Sequence, residues 1–117
     1  MELRIHAADL RREERAAVTV DALSPFDRIM ATTVNHQYEF VIVSPRHYTV
    51  LVRGGALAGF VPACVIGSAP SGEPLKPGTI AVDRRIEVAF ENRRLFTSAV
   101  QRLEVILAHP RHADAAA

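Results

Sequence analysis

From Arg28 onward, apolar and polar residues alternate with a period of two. In "QYEFVIV", Tyr38, Phe40 and Ile42 share one side, and Gln37, Glu39, Val41 and Val43 share the other. The same pattern runs through "RIMATTV" and "HYTVLVR", and later through Ile86, Val88 and Phe90 against Arg85, Glu87 and Ala89. A strand places successive side chains on opposite faces, so this alternation predicts a sheet with one face buried. Phe40, Ile42, Val50, Val52, Ile86, Val88 and Phe90 are the expected core. In "RLFTSAVQRLEVIL", Phe96, Ser98 and Val100 give way to Leu103, Val105 and Leu107. The apolar face therefore changes parity, which predicts a bulge near Gln101–Arg102.

Turn-forming residues punctuate these runs. "SPFD" precedes the first strand, Asn35–His36 separates it from the second, and Ser44–Pro45–Arg46 precedes the third. Gly54–Gly55 closes the third, and "ENR" joins the last two. "FVPACVI" reads as an edge strand or strand entry because of Pro62. "GSAPSGEPLKPG" reads as an exposed loop. Five to seven short antiparallel strands follow. A small antiparallel β-barrel is the expected architecture, with a β-sandwich as the alternative, because closure hides strand edges.

Ahead of the strands, "ADLRREERAA" (8–17) has good helix formers and a favourable Arg11–Glu14 pair, and predicts a short N-terminal helix with a thin apolar face. Residues 1–107 are expected to form one β-rich domain and 108–117 a flexible tail. The apolar pieces "FVPACVI" and "RLEVIL" read as edges, which predicts a homodimer built on the C-terminal strand.

Composition narrows the function classes. The chain has 117 residues, of which 49% are hydrophobic, enough for one core. Its net charge of +1 is spread evenly: seven basic and seven acidic residues to Ala58, then seven and six. That distribution lacks the electrostatic footprint of a duplex nucleic-acid binder. No apolar run reaches the roughly 18 residues of a membrane span. The charged start lacks the apolar centre of a secretory signal, so the expected location is cytoplasmic. Cys64, alone in "VPACVIG", reads as a small buried hydrophobe.

Candidate chemistry is sparse. Asn35–His36 reads as a two-residue hairpin turn, and Asn35, His36 and the nearby Tyr38 are candidate ligand contacts at a barrel rim, but no acid–base or nucleophile set accompanies them. The histidines, His6, His36, His47, His109 and His112, lack the spacing of a zinc site. "GSAPSG" is not followed by the lysine and helix of a phosphate loop. The expectation is a non-enzymatic binding or assembly module without metal or cofactor, whose partner is a protein or a second copy.

Two resemblances add to this. The R-x-x-x-R spacing from Arg11 to Arg15 resembles the arginine motif of PilZ domains, six-stranded barrels that bind cyclic di-GMP. That resemblance implies a cyclic-dinucleotide sensor with Arg11, Arg12 and Arg15 on ligand phosphates, as the alternative to the binding module. The family's D/N-x-S-x-x-G element has no match here, since "DALSPFD" has another spacing and no glycine. The longer pattern "TTVNHQYEFVI…VRGG…GSAPSG" resembles a group of small, uncharacterised bacterial all-β proteins and implies no catalytic residue.

Overall fold

The computed structural model describes residues 11–69 and 77–108. Among the described residues ten strands follow one another: β1 (Arg11–Glu14), β2 (Ala17–Thr19), β3 (Arg28–Thr33), β4 (Gln37–Ser44), β5 (Thr49–Gly54), β6 (Leu57–Ala69), β7 (Thr79–Ala81), β8 (Arg85–Phe90), β9 (Arg93–Phe96) and β10 (Val100–Leu107). Eight form one antiparallel sheet in the order β1-β10-β3-β4-β5-β6-β8-β9, and β2 pairs with β7 apart from it. The alternating faces dictate the packing. Phe40, Ile42, Val50, Val52, Ile86 and Val88 are fully buried on the inner face, as the period-two pattern requires, while Phe90 is half-buried against them. Val18, Val20, Leu23 and Ile80 reach the same core from β2, β7 and the turn after β2.

The expected barrel is not what forms. The large sheet stays open between β1 and β9, and the β2–β7 ladder supplies core residues of its own. Both open edges are four-residue strands rich in charge, and short charged edges resist pairing with another chain without closure.

The N-terminal helix is corrected as well. Residues 11–14 are β1, laid antiparallel on β10 with Arg12 opposite Ile106 and Glu14 opposite Glu104; 17–19 are β2. Residues 8–10 of the expected helix lie outside the described residues. A helix this short is marginal without a broad apolar face. The ladder with β10 satisfies the backbone of 11–14 instead, and Val18 and Val20 turn into the core.

"FVPACVI" and "RLEVIL" are not edges. β10 lies between β1 and β3, so the C-terminal strand has no free edge for a second copy. β6 lies between β5 and β8. Pro62 is accommodated there because it faces Leu51 in a pair whose neighbours, Val50–Ala63 and Val52–Val61, carry the ladder bonds. Its nitrogen points to the other side, where the ladder with β8 begins only at Cys64. Cys64 alternates with the buried Ala63 and Val65 and is half-exposed, which corrects its expected burial. Phe96 also faces outward, opposite Glu87.

The bulge expected near Gln101–Arg102 is present: the register with β3 shifts between Val100 and Arg102. β8 and β9 join through Glu91–Asn92, both left-handed at φ 49° and 63°, the conformation that matches the twist of a two-residue hairpin. The tail from 109 onward, including His109 and His112, and loop residues 70–76 lie outside the described residues. No helix among the described residues is long and apolar enough to cross a membrane.

Candidate functional site: a hollow on the outward face

The outward face gathers the polar half of each strand. Register fixes one row across it: Met30 of β3 lies opposite Glu39 of β4, which lies opposite Arg53 of β5. The β5–β6 hairpin turns at the end of this row, where Gly54 pairs with Tyr38 of β4 and Leu57 of β6. Gly54, at φ 130°, permits the close approach to β4, because a Cβ there would clash with the Gln37 carbonyl oxygen. The result is a half-open hollow of about 370 Å³ lined by Met30, Gln37, Glu39, Arg53 and residues 54 and 57–59.

At its centre is Glu39, only 8% exposed. One carboxylate oxygen accepts from Arg53 Nε at 2.9 Å and lies 2.8 Å from Arg53 Nη2. The other accepts from Arg28 Nη1 at 3.2 Å. A buried carboxylate needs such partners, and charge-assisted bonds to guanidinium are the strong kind. The Arg53 guanidinium also lies over the Phe60 ring, 4.5 Å from its centroid. Arg53 is thus held by a carboxylate in its plane and an aromatic ring on its face. Two guanidinium groups against one carboxylate leave one positive charge in excess.

Both Glu39 oxygens are engaged by arginine, and no serine, cysteine or histidine lines the hollow. Elsewhere, Ser44 Oγ lies 2.9 Å from His47 Nδ1, with no carboxylate bonded to that ring among the described residues. No group of three or more metal-ligating side chains occurs among the described residues.

The residues expected from sequence lie elsewhere and in two places. Arg12 is exposed on the outward face of β1. Arg15 follows β1, with its N–H on the Leu103 carbonyl at 2.9 Å and its Nε on Glu13 at 3.0 Å. Arg11 occupies the first position of β1, opposite Leu107. Asn35 and His36 form a turn at the far end of β10, where Thr33 pairs with Val100. From Val100 to Ile106 is six residues, roughly 20 Å of strand. The two groups do not converge on one pocket.

The Asn35–His36 turn also works differently from the expected two-residue hairpin. Neither residue takes a positive φ. The loop has three residues, and the Thr33 hydroxyl closes it by accepting from the N–H of Asn35 (3.3 Å) and of His36 (3.0 Å). Asn35 Nδ2 donates to Ser98 Oγ at 3.0 Å, tying this loop to the segment before β10. The His36 ring meets Tyr38 edge-on at 6.1 Å. Burial raises the Tyr38 phenol above its ordinary value of 10.0.

Glu39, Arg28 and Arg53 were missed by sequence reading, though a signal existed. Pairing Ile42 with Val50, both core residues of adjacent strands, brings Glu39 opposite Arg53 by register alone.

Comparison with protein-family models, with curated proteins and with solved structures finds no match to this chain.

Proposed function

We propose that the chain is a non-enzymatic binding module that docks a partner protein on the outward face of its sheet, around the hollow. The observation that carries this reading is Phe26. It sits at φ 76° in the Ser24–Asp27 turn, a backbone region that costs a bulky residue about 1–3 kcal/mol, and its ring is 71% exposed. Neither the turn nor the core gains from an exposed aromatic side chain there, so its use lies outside the fold. Its N–H bonds the Ile42 carbonyl at 2.8 Å, which sets it beside Val43, itself exposed on the outward face. Val41 and Leu51, half-buried, lead from there toward Phe60 and the hollow. Apolar residues rimmed by Arg28, Arg53 and Glu39 make the mixed surface that protein interfaces use.

A displayed random-peptide library tests the reading. Peptides selected on the full chain are expected to lose binding to Phe60→Ser and Phe26→Gly variants that remain folded. Selected peptides that bind both variants as well as the parent would contradict it.

A further inference from the structure

The hollow has a chemistry narrower than that of an apolar patch. Arg53 presents Nε and Nη2 to Glu39, and Nη1 has no partner among the described residues. A guanidinium has a second donor edge, and a carboxylate is the planar group that matches it. Phe60 covers one face of this cation and Glu39 fixes its plane, so the fork is held in place before any ligand arrives. Apart from Gln37, whose side-chain amide donates to Thr32 Oγ1 at 3.3 Å, the rest of the lining is apolar or small. Met30 gives an apolar side chain on the outward face, and at Gly59 an added Cβ would meet nothing within 4 Å. That open wall leaves room for a short side chain of the ligand.

Charge selects among anions. The cluster has one positive charge in excess, which a monoanion neutralises. A dianion would set a second negative charge near the Glu39 carboxylate, where like charges repel. A volume of about 370 Å³ suits a small ligand or one end of a peptide.

We infer that the hollow is a site for a carboxylate carried on a short aliphatic group, with the carboxylate on Arg53 and the aliphatic part over Met30. This rests on the docking face proposed above and names what its centre takes. The carboxylate comes either from a small free acid or from the C-terminal residue of a partner peptide.

Amide-shift titration of the isotope-labelled full chain tests it, with isovalerate, N-acetyl-leucine, N-acetyl-leucinamide and inorganic phosphate as probes. The acids are expected to give saturable shifts at the amides of Gly54, Leu57 and Gly59, with the neutral leucinamide weaker by about tenfold or more. Tighter binding of N-acetyl-leucine than of isovalerate assigns the site to a peptide C-terminus, and the reverse order assigns it to a free acid. Gly59→Leu, which fills the hollow and leaves Arg53 and Glu39 in place, is expected to abolish the shifts at Gly54 and Leu57. Should that variant not fold, Arg53→Gln carries the same expectation. No saturation by either acid, an equal response to leucinamide, tighter binding of phosphate, or unchanged binding in a folded variant would each overturn the inference. If peptides selected from the library still require Phe60 and Phe26, such a result removes the carboxylate and leaves the binding module. Loss of both removes the reading beneath it.

Discussion

The two faces of β4 are built from neighbouring residues and obey different rules. Tyr38, Phe40 and Ile42 turn inward, where Phe40 and Ile42 are fully buried and packed by Ile29, Val50 and Val52. Gln37, Glu39, Val41 and Val43 turn outward, where the one buried group, Glu39, is held by two arginines from adjacent strands. The inner face gains stability from area removed from water, which needs no direction. The outer face gains order from directed bonds between charges, which contribute little to stability while half-exposed. Sheet residues only one position apart can therefore be assigned separately to folding and to recognition.

Truncating one aromatic residue on each face separates the two roles by their cost. Phe40→Ala is expected to lose about 3–5 kcal/mol in chemical denaturation, since it leaves a cavity in a fully buried site. Phe60→Ala, on the outer face, is expected to lose at most about 1 kcal/mol, the worth of its contact with Arg53. Equal losses would mean that the outer face is a second core.

The hairpin that builds the hollow gives the next effect. Gly54→Ala forces a Cβ against the Gln37 carbonyl in a backbone region that L-residues rarely adopt, and is expected to cost about 2–3 kcal/mol. Glu39→Ala is expected to cost about 1–2 kcal/mol, because the half-exposed arginines it releases regain water. In the other direction, Phe26→Gly is expected to stabilise the chain by up to about 1 kcal/mol, by relieving the left-handed turn. A destabilising result there would give Phe26 a structural use and weaken its assignment to docking.

Tyr38 sharpens the comparison by pH. Its phenol ionises later in the folded chain than in the unfolded one because of burial. A raised folded value contributes stability that is complete below pH 10.0, the unfolded value, and lost as pH rises above it toward the folded value. An absorbance titration is expected to show Tyr38 titrating above its ordinary range. Tyr38→Phe is expected to flatten the fall in stability above that pH.

Much of the inner face is legible in the sequence because period-two alternation is local information. Phe40, Ile42, Val50, Val52, Ile86 and Val88 follow from it, and so does the bulge at Val100–Arg102, where the parity changes. What the sequence hides is non-local. "RREE" has a helical preference of its own and becomes a strand only because β10 offers a ladder from 90 or more positions away. Pro62 marks an edge in most strands, and only the staggered start of β8 makes it harmless inside a sheet. Phe96 shares the parity of the buried Val100 but faces outward, because the irregular segment 97–99 between β9 and β10 breaks the alternation. The hollow is hidden for the same reason: Met30, Glu39, Arg53 and Gly59 come from four strands, and their meeting depends on register and on the turn at Gly54.

Binding on the outward face around the hollow is tested most directly by amide shifts on adding a library-selected peptide to the labelled chain. The shifts are expected to group at Gln37, Glu39, Arg53, Gly54, Leu57 and Gly59. Shifts grouped instead along the open edge at Arg93–Phe96, with the hollow unmoved, would contradict it.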